Sequence, residues 1–121
     1  MLKVYALGNC DSCRRALKWL RAQGIDFEER AIRETPPTRV ELRMALAALG
    51  GERRKLFNTA GHDYRELKLG ERIDAMSESE AISLLAANGN LVKRPLAIGG
   101  GVALAGFDEA KWRAALGMKG K

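Results

Sequence analysis

Cys10 and Cys13 are the only thiols in this 121-residue chain, and the stretch Gly8-Asn9-Cys10-Asp11-Ser12-Cys13 spaces them as Cys-x-x-Cys. Two intervening residues bring the side chains onto neighbouring helical positions, so a small disulfide ring can close with little backbone movement. The chemistry this suits is thiol–disulfide exchange. Two other readings compete with it, an incidental pair of buried thiols and half of a zinc site. A closed zinc site needs four ligands, and the one histidine, His62, falls in a polar loop, so no metal is expected.

Reactivity depends on ionisation. A free thiol of pKa ~8.5 is only about 3% thiolate at pH 7, and lowering that pKa by ~2 units, worth ~2.7 kcal/mol, makes it mostly ionised. A helix N-terminus contributes ~0.3–1 kcal/mol and at best ~2 kcal/mol. Further positive charge is therefore required. Arg14 and Arg15 are nearby candidates, whereas Asp11 opposes a thiolate.

The elements around the pair fit this chemistry. Met1 to Leu7 reads as a short buried strand stopped by Gly8-Asn9. From Asp11 the period changes, with Cys13, Ala16, Leu17 and Leu20 on one face and Arg14, Arg15, Lys18 and Arg21 on the other, closed by Gly24. Cys10 then lies at or just before a helix N-terminus. Residues 25–32 alternate weakly and suit a second strand, parallel to the first across a right-handed crossover.

Thr38-Arg39-Val40-Glu41 matches a capping box for a helix with Val40, Leu42, Ala45, Leu46 and Leu49 on its apolar face. A short helical piece at 52–57, near-helical spacing of Tyr64, Leu67 and Leu69, and a second capping box at Ser77-Glu78-Ser79-Glu80 follow. Residues 38–88 thus read as a helical insertion. Residues 91–105 read as a hairpin turning at Gly99-Gly100-Gly101, and Asp108 caps a last helix. The expected fold is α/β: β-α-β, then helices, then β-β-α around a four-stranded mixed sheet. One domain spans 1–116, with 117–121 a flexible tail.

Composition sets outer bounds. Hydrophobic residues at 46% and charged residues at 30% fit an ordinary globular protein. No leader pattern and no apolar run of membrane-spanning length is present, so a cytoplasmic protein without membrane contact is expected. The excess of 21 Lys and Arg over 15 Asp and Glu, a net +6, favours anionic partners. The basic residues are spread along the chain, so no direct nucleic-acid surface is expected. Trp19, Trp112, Tyr5 and Phe107 read as core or core-edge residues.

Several stretches, in this order, resemble the ArsC family, which joins glutaredoxin-coupled arsenate reductases, Spx-type redox regulators and YffB-like proteins. They are Tyr5 with Gly8 to Ala16, Leu56-Phe57-Asn58-Thr59, Tyr64-Arg65-Glu66-Leu67, Lys93-Arg94-Pro95-Leu96 and Val102 to Phe107. The resemblance implies a thioredoxin-like fold, with Cys10 the nucleophile, Arg94 the facing anion-binding residue that supplies the missing charge, and Pro95 the cis-proline. Asn9, Asp11, Ser12, Arg14, Asn58 and Pro95 are expected to border the substrate. Asn58 has a second reading as the cap of its own turn.

Two departures refine the expectation. Arsenate reductases carry arginine where Asn58 stands and another near Gly106, so arsenate reduction is the weakest reading. Cys13, absent from most YffB-like proteins, resembles the Spx-type pair and lets Cys10 be resolved internally. The expected activity is thiol–disulfide oxidoreduction with no bound cofactor, glutathione being a co-substrate, or a glutaredoxin- or thioredoxin-type protein the reductant. The alternative is an Spx-like redox-responsive regulator that docks on RNA polymerase. A monomer is expected.

Overall fold

The computed structural model describes residues 1–116; the expected tail at 117–121 lies outside them. The first strand, β1 (Leu2–Ala6), leads into helix α1 (Asp11–Ala22) and strand β2 (Phe27–Ala31). Four helices follow: α2 (Arg39–Ala48), α3 (His62–Glu66), α4 (Leu69–Arg72) and α5 (Glu78–Ala87). The chain then returns through β3 (Leu96–Gly99) and β4 (Val102–Ala105) to α6 (Glu109–Ala115).

The sheet has the order β2-β1-β3-β4, with β1 parallel to β2 and antiparallel to β3, and β3 antiparallel to β4. This is the expected four-stranded mixed sheet. Its centre is β1, whose alternating side chains divide the interior in two. Leu2, Val4 and Ala6 pack with Ala16, Leu17, Leu20 and Trp112 under α1 and α6. Tyr5 faces the opposite layer, with Leu42, Leu46, Ile82 and Leu85 of α2 and α5.

Both capping boxes form, Thr38 with Glu41 and Ser77 with Glu80. Details depart from the sequence reading. Val40 is 66% exposed, and Glu41 is buried in its stead. Glu41 accepts hydrogen bonds from the Tyr5 hydroxyl at 2.7 Å and the Thr38 amide at 3.0 Å, and it pairs with Lys3. A capping glutamate with three partners is satisfied inside, so the helix turns that side to the sheet.

The piece at 52–57 is a 3-10 turn at Arg53–Lys55. The spacing of Tyr64, Leu67 and Leu69 covers two short helices separated by left-handed Lys68, not one. Residues 89–91 form a 3-10 turn and Val92 makes an isolated bridge to Phe57, so the hairpin begins only at Leu96. No helix among the described residues is long and apolar enough to cross a membrane.

Candidate active site

The end of β1 and the start of α1 bring the two thiols together. Cys10 is the N-cap of α1, with φ −103° and ψ 121°, and its sulfur accepts the Cys13 amide at 3.3 Å. The cap position explains this contact: amides of the first helical turn have no carbonyl partner within the helix. Cys13, one turn in, is fully buried, and the Leu7 amide donates to its sulfur at 3.5 Å. Both thiols are free, Cys10 partly exposed and Cys13 enclosed.

This unequal placement separates their acidities. Burial works to raise the Cys10 pKa, but hydrogen bonds from the Cys13 thiol and amide, then the charge and hydrogen bonding of Arg94, outweigh it and hold Cys10 below the ordinary thiol value. Cys13 is pushed up to about 12, by burial first and then by its own thiol's hydrogen bond to Cys10. Arg94 therefore faces the pair. It acts on Cys10 both through its charge and through a hydrogen bond, beside the neighbouring thiol and amide.

Arg94 is carried on the segment entering β3, and the bond to Pro95 is cis. That segment is pinned: the Lys93 amide donates to the Leu56 carbonyl at 2.8 Å, and the Asn58 amide to the Leu91 carbonyl at 2.7 Å. The Arg94 nitrogen Nη1 is buried and has no hydrogen-bond partner among the described residues.

A cleft of ≈ 260 Å³ is bordered by Ser12, Lys93, Arg94, Gly106, Phe107 and Lys111; neither sulfur lines it, and Ser12 and Arg94 are its links to the thiol pair. Of the residues expected to border substrate, Ser12 lies on it, and Pro95 is buried next to Arg94. Asn58 does not reach it: its side chain donates to the Asn90 carbonyl at 3.4 Å, and its own carbonyl accepts the Gly61 amide at 3.1 Å. The Asn58 side chain thus neither borders the cleft nor caps its own turn; it ties the turn to the 3-10 segment at 89–91. Asp11 is exposed and accepts from Arg15 at 3.2 Å, while Arg14 lies 3.8 Å from Asp11 and donates to the Gly8 carbonyl at 3.4 Å. These charges satisfy one another on the exposed surface of α1, Asn9 is exposed in the turn before them, and none of Asn9, Asp11 and Arg14 lines the cleft.

Sequence reasoning missed Lys93, Phe107 and Lys111 as cleft residues. Lys93 directly precedes Arg94 in the chain, but only the hairpin return brings it over Gly106. Phe107 packs edge-on against Trp112 with ring centroids 5.1 Å apart, and the Arg15 guanidinium lies 5.7 Å from its centroid. Among the described residues no group of three or more His, Cys, Asp or Glu side chains could hold a metal ion.

Known proteins share this sequence and this sheet. The protein YusI of Bacillus subtilis is 43% identical over 108 residues, 89% of this chain and 92% of its own length. The global transcriptional regulator Spx of Streptococcus mutans is 29% identical over 116 residues, 96% of this chain and 83% of its own length. The crystal structure of a possible arsenate reductase from Streptococcus mutans superposes with a TM-score of 0.83 at 37% identity, covering 88% of this chain and 91% of that one. The ArsC family model matches residues 5–115, nearly all of the described chain and both halves of the cleft. With its thioredoxin-like sheet and a cysteine capping α1, this chain belongs to the ArsC family.

Proposed function

We propose that the chain is a thiol–disulfide oxidoreductase of the ArsC/YffB-like type, with Cys10 as nucleophile, Cys13 as resolving thiol and Arg94 as the facing cation. The observation that carries this reading is the split between a partly exposed Cys10 of lowered pKa and an enclosed Cys13 pushed up to about 12. Of the two sulfurs the outer one ionises first, so attack begins there.

The Cys10 thiolate attacks one sulfur of a disulfide, forming a Cys10 mixed disulfide and releasing the other half as a thiolate. The cap amide and Arg94 hold the attacking charge beforehand. Once Cys10 is in a mixed disulfide it no longer accepts the Cys13 thiol proton as an anion. Cys13 then attacks the Cys10 sulfur as its proton passes to the departing sulfur, releasing the second half as a thiol and leaving a Cys10–Cys13 disulfide. Two electrons from two glutathione molecules, or from one glutaredoxin- or thioredoxin-type dithiol, restore both thiols. All the groups involved come from one chain, so a monomer suffices.

The test is equilibration in graded glutathione buffers, then acid quench, alkylation and mass spectrometry of Cys10 and Cys13. A two-thiol transition between about −200 and −300 mV, or glutathione captured on Cys10, is the expected result. Two thiols inert across that range would remove the reading. Arsenate as substrate is less well supported, since Arg94 is the one arginine bordering the cleft among the described residues.

A second reading is an Spx-like regulator whose affinity for RNA polymerase changes when Cys10 and Cys13 join. Its support is the 96% of this chain that aligns with the Streptococcus mutans regulator, together with the thiol pair. Capture by the C-terminal domain of RNA polymerase α, compared between oxidised and reduced protein, separates the two. Redox-dependent capture favours the regulator; its absence favours the enzyme.

A further inference from the structure

Among the described residues no carboxylate pairs with Arg94. Its Nη1 is buried without a partner, while its charge and its hydrogen bond act on Cys10. The aim of the guanidinium is therefore inherited from the backbone that carries it. A hydrogen bond weakens steeply when its angle opens, so a loose carrier would weaken the contact with the sulfur.

The carrier is the segment 88–93, which runs between α5 and β3 with only a 3-10 turn at 89–91 of its own. It is tied to the 56–58 turn through the Lys93 and Asn58 amides and the Phe57–Val92 bridge. Gly89 packs so closely on the Ile32 carbonyl that any side chain there would collide with it.

A further hold comes from one carboxylate. Asp63, near the start of α3, accepts through Oδ2 both the Asn88 side-chain amide at 2.9 Å and the Asn90 side-chain amide at 3.2 Å. Asn88 Oδ1 in turn accepts the Asn90 backbone amide at 3.0 Å, capping the 3-10 turn. Asn90 is held from two more directions, its Oδ1 by Arg33 Nε and its carbonyl by the Asn58 side chain. One oxygen thus joins α3, the end of α5, the exit of β2 and the 56–58 turn at the segment that leads to Arg94. The two asparagine donors hold the Asp63 carboxyl below the ordinary carboxylate range, so it is ionised at neutral pH and its hydrogen bonds are charge-assisted.

We infer that Asp63 is a positioning residue for Arg94: by clamping Asn88 and Asn90 it fixes the 88–93 segment, and through that segment the guanidinium facing Cys10. This rests on the thiol–disulfide reading above and adds to it a support outside the site. Functional groups keep their geometry only when an outer set of hydrogen bonds holds the elements that carry them.

The sign of the effect separates this role from others. Removing a negative charge favours a thiolate, so loss of the Asp63 charge alone speeds alkylation of Cys10 or leaves it unchanged. Loss of the clamp slows it, because Arg94 is released. A residue serving only the stability of α3 would lower the melting temperature and leave the reactivity of Cys10 where it was.

The experiment follows iodoacetamide labelling of Cys10 in pre-reduced protein by mass spectrometry from pH 5 to 10. Asp63→Ala is expected to slow labelling at pH 7 about threefold and to move the profile to higher pH. Asp63→Asn, equally uncharged but keeping an acceptor oxygen, is expected to recover most of the rate. In an Arg94→Gln background Asp63→Ala brings no further change, since the group it acts through is gone.

Labelling that is unchanged or faster in Asp63→Ala, or slowed equally in both backgrounds, would overturn the positioning role and leave the oxidoreductase reading standing. If wild-type Cys10 itself titrates as an ordinary thiol, that reading falls and the positioning role with it. Circular-dichroism melts show that each rate belongs to folded protein. Should Asp63→Ala fail to fold, Asn90→Ala removes one of the two clamped arms and carries the same expectation.

Discussion

At the scale of single residues, the asymmetry of the thiol pair comes from the deep burial of Cys13 and from the hydrogen bonds it makes to Cys10. Cys13 donates its thiol proton and its amide to Cys10, which stabilises charge on Cys10 and ties the proton to Cys13. The order of causes makes a specific prediction. Cys13→Ala and Arg94→Gln both raise the Cys10 pKa, and Cys13→Ala raises it more, because the thiol donor acts ahead of the guanidinium. A hydrogen bond to a charged group is worth about 1.5–3 kcal/mol, so Cys13→Ala is expected to slow iodoacetamide labelling of Cys10 at pH 7 about tenfold or more. Labelling rates followed by mass spectrometry from pH 5 to 10 check this, and a larger effect from Arg94→Gln would reverse the order. In the wild type Cys13 stays unlabelled over that range, its thiol lying at about 12. The spacing of the pair and its place before an amphipathic helix were legible in the chain. The dominance of Cys13 over Arg94 was not, because it depends on burial of one sulfur and on a thiol rotamer, neither of which leaves a mark in sequence.

At the scale of elements, the two ends of the chain were easier to read than its middle. The strand, Cys-x-x-Cys and helix of residues 1–24 obey a clean change of period, and Gly24 sits at φ +71° where a helix-ending glycine is expected. Between α3 and α4 the pattern misleads. Tyr64 and Leu69 are both buried, so their spacing resembles a continuous helix, but the chain reverses locally at Lys68, with φ 53° and ψ 40°. A lysine gives no sign of a left-handed backbone, which disfavours any side chain with a Cβ. The two positions predict opposite signs for simple substitutions. Lys68→Gly removes the Cβ conflict and is expected to stabilise the protein by about 0.5–1 kcal/mol, whereas Gly24→Ala introduces one and costs about 1 kcal/mol. Nothing lies within 4 Å of a Cβ built at Gly24, so the loss there is conformational and not a clash. Urea midpoints with unchanged slopes measure both; equal signs would mean that backbone strain is not what distinguishes these sites.

At the scale of the whole molecule, the sheet separates two apolar layers, and Glu41 is the polar tie across the larger one. Its carboxylate links α2 to β1 through Tyr5 and Lys3 while still capping its own helix through the Thr38 amide. The capping box was visible in the sequence; the cross-layer contacts were not, because they require β1 to turn Lys3 and Tyr5 toward α2. Burial opposes its charge, but the hydrogen bonds from Lys3, Tyr5 and the Thr38 amide prevail and lower the Glu41 pKa to about 2. In the unfolded chain a glutamate titrates near ~4.3. A carboxyl group whose pKa falls on folding stabilises the fold fully above its unfolded value, and that contribution is lost as pH drops through the folded value. The window here runs from pH ~4.3 down to about 2. Glu41→Gln keeps the shape and an acceptor oxygen but removes the charge, so it is expected to cost on the order of 3 kcal/mol at pH 7 and progressively less below pH ~4.3. Denaturant unfolding of both proteins at about pH 7, 4 and 2.5 gives the difference directly. Convergence of the two stabilities toward pH ~2 identifies the ionised carboxylate as the tie between sheet and helix. A gap that persists there would assign the loss to altered packing around α2, since by then the wild-type side chain is about half neutral and most of its charge-dependent stabilisation is gone.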